Sequence, residues 1–194
     1  MARIDSVCVF CGSKFGNDPA WTRAAERLGA LLAEADIRLV YGGGRIGLMG
    51  AVAQAAMRAG GRVSGVIPDH LMKLEVADTD ITELVVVDSM HERKRRMFEL
   101  ADGFVVLPGG LGTLDETFEI VTWKQLRHHS KPIVMLDVNG YWTPFLDLVR
   151  AIVAGGFAHP AVADLYTVVA TPEAVLPALR AAPAVDERVL TSHL

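Results

Sequence analysis

Residues 103–116 combine the features of a buried strand with those of a helix start. The run over residues 103–107 is apolar, uncharged and rich in β-branched and aromatic side chains, as parallel strands buried on both faces are. Pro108 ends the run, and three of the next four residues are glycines, which let the backbone adopt positive φ and approach a ligand closely. Thr113 and Glu116 then have the Ser/Thr-x-x-Glu spacing of a capped helix N-terminus. The stretch predicts a strand, a tight turn and a helix in direct succession.

The same order of apolar run, turn and helical segment recurs along the whole chain. Strands are predicted at residues 5–11, 38–41, 62–67, 83–87, 103–107, 131–136 and 166–169, with helices between them. This alternation predicts an α/β fold with a doubly wound parallel sheet of about seven strands, Rossmann-like. The 194 residues, 51% of them hydrophobic, fit a single domain. We place that domain at residues 1–182 and a loosely held tail at residues 183–194.

The turn and helix after residue 107 predict an anion site with an acid beside it. The first N–H groups of a helix lack intrahelical partners and carry partial positive charge, so a phosphate suits this position. Glu116 follows about one turn into the helix. A carboxylate there repels a phosphate unless it addresses another part of the same ligand. We therefore interpret the stretch as a phosphate-binding turn combined with a catalytic acid.

Arg93 stands out in the charged helical segment over residues 88–100. Most of that segment reads as a solvated helix face with ion pairs at i,i+4 spacing. Arg93, however, shares a face with Met90, Met97 and Leu100, which must turn toward the sheet. Two interpretations remain: an arginine that binds a ligand anion, for which its forked donors are suited, or a buried structural arginine paired with a carboxylate.

A second glycine turn raises a competing hypothesis. Gly42, Gly44 and Gly47 satisfy G-x-G-x-x-G between a strand and a helix, and Asp69 follows about twenty residues later, as in dinucleotide-binding proteins. The turn, however, follows the second strand instead of the first, and Asp69 lies beyond the strand end. Glycines that allow tight packing and line a pocket are the alternative explanation. The irregular segment 69–82 is either a rim of the site that carries Glu75 or a plain surface loop.

Composition excludes several classes of partner. A net charge of −4 without a dense basic tract argues against nucleic acid. The N-terminus lacks the apolar core of a signal peptide, and no uncharged run reaches membrane-spanning length, so a cytoplasmic protein is expected. Cys8 and Cys11 lie in a strand pattern that points them to opposite faces, which predicts two core residues and no redox pair. The sequence contains no cluster of metal-ligating residues, so no metal site is expected.

Two motifs resemble those of a known family. Residues 108–116 resemble the P-G-G-x-G-T-x-x-E signature of the LOG family, the cytokinin riboside 5′-monophosphate phosphoribohydrolases. Residues 90–94, Met-His-Glu-Arg-Lys, resemble the second motif of that family. The similarity extends through the turn at residues 11–13 and the glycines after Tyr41 to about Arg180. Lys14 departs from the small polar residue that many relatives carry, which leaves the ligand contact of the first turn open.

The resemblance implies hydrolysis of the N-glycosidic bond of N6-substituted adenosine 5′-monophosphates, with release of the free base and ribose 5-phosphate. Arg93 and Glu116 would be the catalytic pair. The implied substrate contacts are Glu75, Arg93, Lys94, Gly109, Gly110, Leu111, Gly112, Thr113, Leu114, Asp115, Glu116 and Thr122. The expected pocket-lining residues are Gly12, Ser13, Gly43, Gly44 and Met90, with Met90 and Trp123 as candidates for an apolar recess around the base substituent.

One other function remains as an alternative, and a second is rejected. A non-catalytic nucleotide carrier could use the same fold, although a simple phosphate binder has no reason to place Glu116 beside the anion. Lysine decarboxylation, a label often given to this family, needs a lysine that forms a Schiff base with pyridoxal phosphate. No lysine occupies an obvious apolar strand end, so no cofactor is expected.

The resemblance also implies a homodimer. The helix over residues 112–126 presents apolar side chains on more than one face. One face can pack on the sheet and another on a twin chain, or the whole helix can be buried within its own domain.

Overall fold

A computed structural model describes residues 3–72 and 76–182. It contains one seven-stranded parallel sheet in the order β4-β3-β2-β1-β5-β6-β7. The strands are β1 Ser6–Phe10, β2 Arg38–Tyr41, β3 Val63–Pro68, β4 Glu83–Val87, β5 Gly103–Val106, β6 Ile133–Leu136 and β7 Thr167–Val169. The predicted α/β class, strand number and parallel sheet are confirmed.

Six α-helices of the described chain connect these strands. They are α1 Pro19–Glu34, α2 Gly47–Arg58, α3 Met90–Leu100, α4 Leu111–Gln125, α5 Thr143–Ala154 and α6 Val175–Ala181. Within the described ranges, no helix combines the length and the apolarity that a membrane span requires. The predicted tail at residues 183–194 lies outside the described residues, so the domain boundary remains a prediction.

The helices cover both faces of the sheet, which makes the fold doubly wound. Side chains alternate along β1, so Val7 and Val9 join one apolar cluster while Cys8 and Phe10 join the other. The first cluster packs the sheet against α1, α2 and α6, and the second packs it against α3, α4 and α5. Because both faces are covered, the central strands are fully buried and carry apolar side chains almost throughout.

The strand order reverses at β1, and this reversal positions the site. β1 pairs with β2 on one side and with β5 on the other, so successive strands add outward in opposite directions from this point. The loops that leave the carboxyl ends of β1 and β5 meet there, since the Gly12 amide donates to the Pro108 carbonyl oxygen at 3.0 Å. The helices that follow them, α1 and α4, cover opposite faces of the sheet, which leaves a crevice at this edge. Ligands of open α/β sheets bind in such crevices.

Candidate active site

A cavity of about 250 Å³ opens at the point where the strand order reverses. Its walls come from the ends of β1 and β2, from α3 and from the start of α4. The structure brings these sequence-predicted residues to its lining: Gly12, Ser13, Met90, Arg93, Gly110, Leu111, Gly112, Thr113, Asp115 and Glu116. We call this the charged cavity, because it holds Arg93 and Glu116 together.

The start of α4 is open to a ligand because no side chain caps it. Gly110 is the N-cap residue and makes no side-chain hydrogen bond. The predicted capping box of Thr113 with Glu116 is wrong, since the helix begins at Leu111 and Thr113 is already its third residue. A Cβ on Gly109 would lie 2.1 Å from the Thr113 hydroxyl oxygen, so only glycine lets the turn close against this side chain. The first residues of α4 line the cavity, so an anion bound there can accept from their N–H groups.

Glu116 lines the charged cavity from the second turn of α4. Its side chain is half-buried. The pKa of the Cys11 thiol is raised, first by burial and second by the nearby Glu116 carboxylate. Glu116 therefore lies close to the end of β1, where it places a negative charge near the positive end of its own helix.

Arg93 is buried, with 4% of its surface exposed, and also lines the charged cavity. Its Nη2 donates to the Gly42 carbonyl oxygen at 2.7 Å, and its Nε donates to the Val66 carbonyl oxygen at 3.1 Å. Gly42 directly follows β2 and Val66 lies within β3, so the backbone of the sheet sets the position of the guanidinium. An arginine held in this way can bind an anion with little rearrangement.

Lys94 forms ion pairs with two carboxylates of α4. Its Nζ lies 3.0 Å from Asp115 Oδ2 and 3.2 Å from Glu119 Oε1. Burial lowers the pKa of Lys94, but hydrogen bonds to the two carboxylates outweigh this effect and raise it. Lys94 therefore connects α3 to α4 beside the cavity, and its predicted contact with the substrate remains a prediction.

Several other predicted residues lie outside the lining of the charged cavity. Gly43 and Gly44 lie on the turn behind Gly42, Leu114 packs into the second apolar cluster, and Thr122 is exposed on α4. Gly109 lines a neighbouring cavity instead. The roles suggested for these residues stay predictions, and Glu75 falls outside the described residues.

The glycine turn after β2 serves packing at the positions where contacts are closest. A Cβ on Gly42 would lie 2.2 Å from Arg93 Nη2, and a Cβ on Gly47 would lie 2.3 Å from the Ser13 carbonyl carbon. Gly47 also has a φ of +69°. The turn thus gives room to Arg93 and to the loop after β1, which favours the packing explanation over a dinucleotide site.

Besides Gly42, six described residues line the charged cavity without having been predicted for it. They are Val9, Phe10, Cys11, Met49, Leu71 and Met97. Leu71 reaches it from a 3-10 turn at Asp69–Leu71, and Met49 and Met97 reach it from α2 and α3. The position of Leu71 places part of the irregular segment 69–82 at the rim, one of the two alternatives left open. No sequence signal marked the methionines, since each is also a normal core residue of its helix.

The Trp123 ring lies against Phe98, with ring centroids 5.2 Å apart. Trp123 is not among the described residues that line the charged cavity. The suggestion that it forms a recess for a base substituent therefore gains no support from its position.

Cys8 and Cys11 are free and buried. They belong to opposite apolar clusters, as their spacing along β1 predicted. Burial is the main cause that raises the pKa of both thiols, so neither is activated as a nucleophile. In the described part of the chain, no group of three or more His, Cys, Asp or Glu residues has the arrangement of a metal site.

Comparison with solved structures shows the same fold in proteins of low sequence identity. The molybdenum cofactor binding protein of Rippkaea orientalis is 19% identical, with a TM-score of 0.69 over 93% of this chain and 98% of that one. The molybdenum cofactor carrier protein of Chlamydomonas reinhardtii is 20% identical, with a TM-score of 0.68 over 92% of this chain and 97% of that one. At these identities the comparison establishes the fold alone.

Sequence comparison is more specific. The family described as "Possible lysine decarboxylase" matches residues 49–179. The cytokinin riboside 5′-monophosphate phosphoribohydrolase of Rhodococcoides fascians is 44% identical over 90% of this chain and 89% of its own length. An enzyme of the same name from Arabidopsis thaliana is 46% identical over 82% of this chain and 73% of its own length. A probable one from Oryza sativa subsp. japonica is 40% identical over 98% of this chain and 78% of its own length. The chain therefore belongs to the LOG family of cytokinin riboside 5′-monophosphate phosphoribohydrolases.

Proposed function

We propose that this protein hydrolyses the N-glycosidic bond of N6-substituted adenosine 5′-monophosphates and releases the free base and ribose 5-phosphate. Family membership supports this activity, since the relatives named above carry it in their names. The observation that carries the proposal for this chain is the charged cavity. There, Arg93, Glu116 and the uncapped start of α4 line one space at the carboxyl ends of the strands.

The division of charge in this cavity matches the two ends of a nucleotide. The first N–H groups of α4 and the Arg93 guanidinium suit the phosphate. Gly42 and Val66 hold that guanidinium through their carbonyl oxygens, so little freedom is lost when a phosphate binds. Binding energy from the phosphate, which does not react, then aligns the sugar for the chemical step.

Glu116 is assigned the role of stabilising the transition state. Breaking the bond between the sugar carbon and the base nitrogen leaves the electron pair on the base and builds positive charge on the sugar. A carboxylate beside the ribose stabilises that charge and orients the attacking water. The water oxygen bonds to the sugar carbon, and a proton from the water ends on the departing base.

The test is the substitution Glu116→Gln, which preserves size and removes the charge. We expect base release from N6-isopentenyladenosine monophosphate to fall about 10²–10³-fold, the usual loss when a group that stabilises developing charge is removed. Chromatography of the released base gives the rate, and circular dichroism checks that the variant is folded. The matched control is Glu34→Gln on the exposed side of α1, which should keep the full rate.

Two outcomes contradict the proposal in different ways. Undiminished base release by Glu116→Gln removes Glu116 from the mechanism. Saturable nucleotide binding without base release from any monophosphate indicates the carrier function instead.

We also propose a homodimer in which the outer side of α4 contacts a twin chain. Leu111 and Phe118 on that helix and Leu126 at its C-cap are exposed apolar residues, with exposed fractions of 86%, 37% and 52%. Thr122 is also exposed and lies one helical turn from Phe118 and from Leu126. Its predicted contact with substrate would then be made in the cavity of the twin chain. We propose a cytoplasmic location as well, because phosphorylated nucleosides are metabolites of the cell interior.

A further inference from the structure

Tyr141 holds the glycine turn before α4 from outside the charged cavity. It lies between β6 and α5, directly after the 3-10 turn at Val138–Gly140. Its hydroxyl donates to the Gly109 carbonyl oxygen at 2.5 Å. Tyr141 and Gly109 line a neighbouring cavity, and neither is among the described residues that line the charged cavity itself. The tyrosine therefore contacts the turn from outside the space that Arg93 and Glu116 line.

This hydrogen bond sets the direction of one peptide group. The Gly109 carbonyl and the Gly110 amide belong to the same trans peptide, in which the C=O and N–H bonds point in opposite directions. Because the carbonyl is directed at Tyr141, the Gly110 N–H is directed away from it. Gly110 lines the charged cavity, and in the described part of the chain no group accepts a hydrogen bond from its amide. The Gly110 N–H is thus available to an anion in that cavity.

The peptide between Gly109 and Gly110 can turn over unless a contact holds it. A flip exchanges the directions of its carbonyl and its N–H by changing ψ of Gly109 and φ of Gly110. The φ of Gly110 is −96°, so a flip brings it to a positive value, which glycine tolerates and a residue with a Cβ rarely adopts. A Cβ built on Gly110 meets nothing within 4 Å, so packing does not require glycine there. Glycine at position 110 therefore leaves both orientations open, and another group must select between them.

Tyr141 is itself held in place well enough to make that selection. Its ring meets the indoles of Trp21 and Trp142 edge to face, with centroids 5.0 Å and 4.9 Å away. The turn before it is tied to the start of α1, because Asn139 Nδ2 donates to Asp18 Oδ2 at 2.9 Å. The hydroxyl is therefore a donor whose position is fixed by α1 and by the segment after β6.

We propose that Tyr141 is a positioning residue for the phosphate of the substrate, because its hydroxyl holds the peptide between Gly109 and Gly110 with the N–H toward the phosphate. In the flipped orientation the Gly109 carbonyl oxygen would face the phosphate instead, and the two negative groups would repel each other. This inference rests on the proposed function, since it assigns the phosphate to the start of α4. It adds a residue that touches no substrate and acts through the backbone of the turn.

Binding of ribose 5-phosphate to the full chain tests the proposal without relying on turnover. Tyr141→Phe keeps the ring and removes only the hydroxyl, so the fold should persist, which thermal denaturation checks. We expect this variant to bind ribose 5-phosphate about tenfold more weakly in calorimetry, the effect of losing one hydrogen bond to a charged group. Its affinity for the free base N6-isopentenyladenine, which carries no phosphate, should not change. The matched control is Tyr166→Phe, which removes the hydroxyl of a buried tyrosine outside the lining of the charged cavity and should keep wild-type affinity for both ligands.

The nuclear magnetic resonance signal of the Gly110 amide reports the orientation of the peptide directly. In proton–nitrogen correlation spectra, ribose 5-phosphate should shift this signal strongly downfield in the wild type and only weakly in Tyr141→Phe. A Gly110 amide that does not respond to ribose 5-phosphate in the wild type would overturn the proposal, even if the protein releases base from the nucleotide. The expected shifts in a protein that releases no base would support the positioning role and contradict the proposed activity alone.

A double-mutant cycle tests whether the hydroxyl acts through the peptide. Gly110→Ala disfavours the flipped orientation through its Cβ, so the hydroxyl of Tyr141 should matter less in this background. We expect Tyr141→Phe to weaken ribose 5-phosphate binding about tenfold when residue 110 is glycine and less than about twofold when it is alanine. A tyrosine that only stabilises the fold predicts the same loss in both backgrounds, and that result would overturn the proposal.

Discussion

Gly42 and Arg93 are 51 residues apart in sequence, yet their contact sets the geometry of the charged cavity. The guanidinium donates to the Gly42 carbonyl oxygen and occupies the space where a side chain at position 42 would begin. The position of Arg93 therefore requires glycine at position 42, and the role proposed for Arg93 depends on this missing side chain.

The substitution Gly42→Ala tests this dependence. Its Cβ would lie 2.2 Å from Arg93 Nη2, so the guanidinium must shift. We expect base release to fall by about a hundredfold, because displacing a positioning group by about 1 Å has an effect of that size. Chromatography of the released base measures the change.

The control for this prediction is Gly155→Ala, where the new Cβ would lie 3.2 Å from the exposed Phe157 ring and 3.3 Å from the Ala151 carbonyl oxygen, without a severe clash. It should retain normal activity. Normal activity in Gly42→Ala as well would show that the position of the guanidinium does not limit the reaction.

The two helices that supply Arg93 and Glu116 begin in different ways. At α3, Ser89 is the N-cap residue and its hydroxyl accepts from the Glu92 amide at 3.2 Å. At α4, Gly110 is the N-cap residue and offers no side-chain acceptor. One helix start is thus closed by its own side chain and the other is left for a ligand, which is the difference that the proposed chemistry needs.

The cap of α3 leads to a prediction about stability. Ser89→Ala should lower the free energy of unfolding by about 1 kcal/mol, since it removes the acceptor for an otherwise unpaired N–H group. Urea denaturation measures this change. Ser130→Ala, at an exposed position outside the helices, should stay close to wild type. An unchanged urea midpoint in Ser89→Ala would show that water satisfies the Glu92 amide as well as the Ser89 hydroxyl does.

The stability of the whole molecule includes an unfavourable contribution from Lys124. Only 2% of its surface is exposed, and it has no ion pair among the described residues. Burial lowers the pKa of Lys124 to about 8, from an ordinary value of 10.5. Between these pH values the unfolded chain holds more protons on this amine than the folded chain does, so stability should rise with pH in that window.

Replacing this lysine should therefore stabilise the protein. Lys124→Met is expected to raise the free energy of unfolding at pH 7 by roughly 1–3 kcal/mol, because the buried amine is protonated there at a cost. The substitution should also flatten the rise between pH 8 and 10.5. Urea denaturation at several pH values measures both effects. The control Lys14→Met, at an exposed position, should keep the rise of the free energy of unfolding with pH. If that rise persists in Lys124→Met, another titrating group causes it.

The proposed homodimer leads to a prediction at the same scale. Leu126→Glu places a charge in the exposed apolar stripe of α4, so it should shift the protein from dimer to monomer. Sedimentation velocity measures the change. Phe157→Glu, another exposed apolar position, should remain dimeric. A wild-type protein that sediments as a monomer would end the proposal, together with the role suggested for Thr122 in a twin chain.

The sequence by itself determined the elements, the parallel sheet and the two motifs that carry Arg93 and Glu116. These follow from local periodicity, glycine and proline turns and charge spacing, which are properties of neighbouring residues. Sequence reasoning missed the true start of α4, because a Ser/Thr-x-x-Glu spacing can occur inside a helix as well as at its beginning.

Only the tertiary structure decided which residues meet. The strand order that brings the turns after β1 and β5 together, the carbonyl oxygens that hold Arg93, and the edge-to-face contact of Trp21 with Tyr141 depend on contacts between distant segments. The physical reason is that packing across a sheet is set by which strands pair, and no local pattern in the chain encodes that pairing.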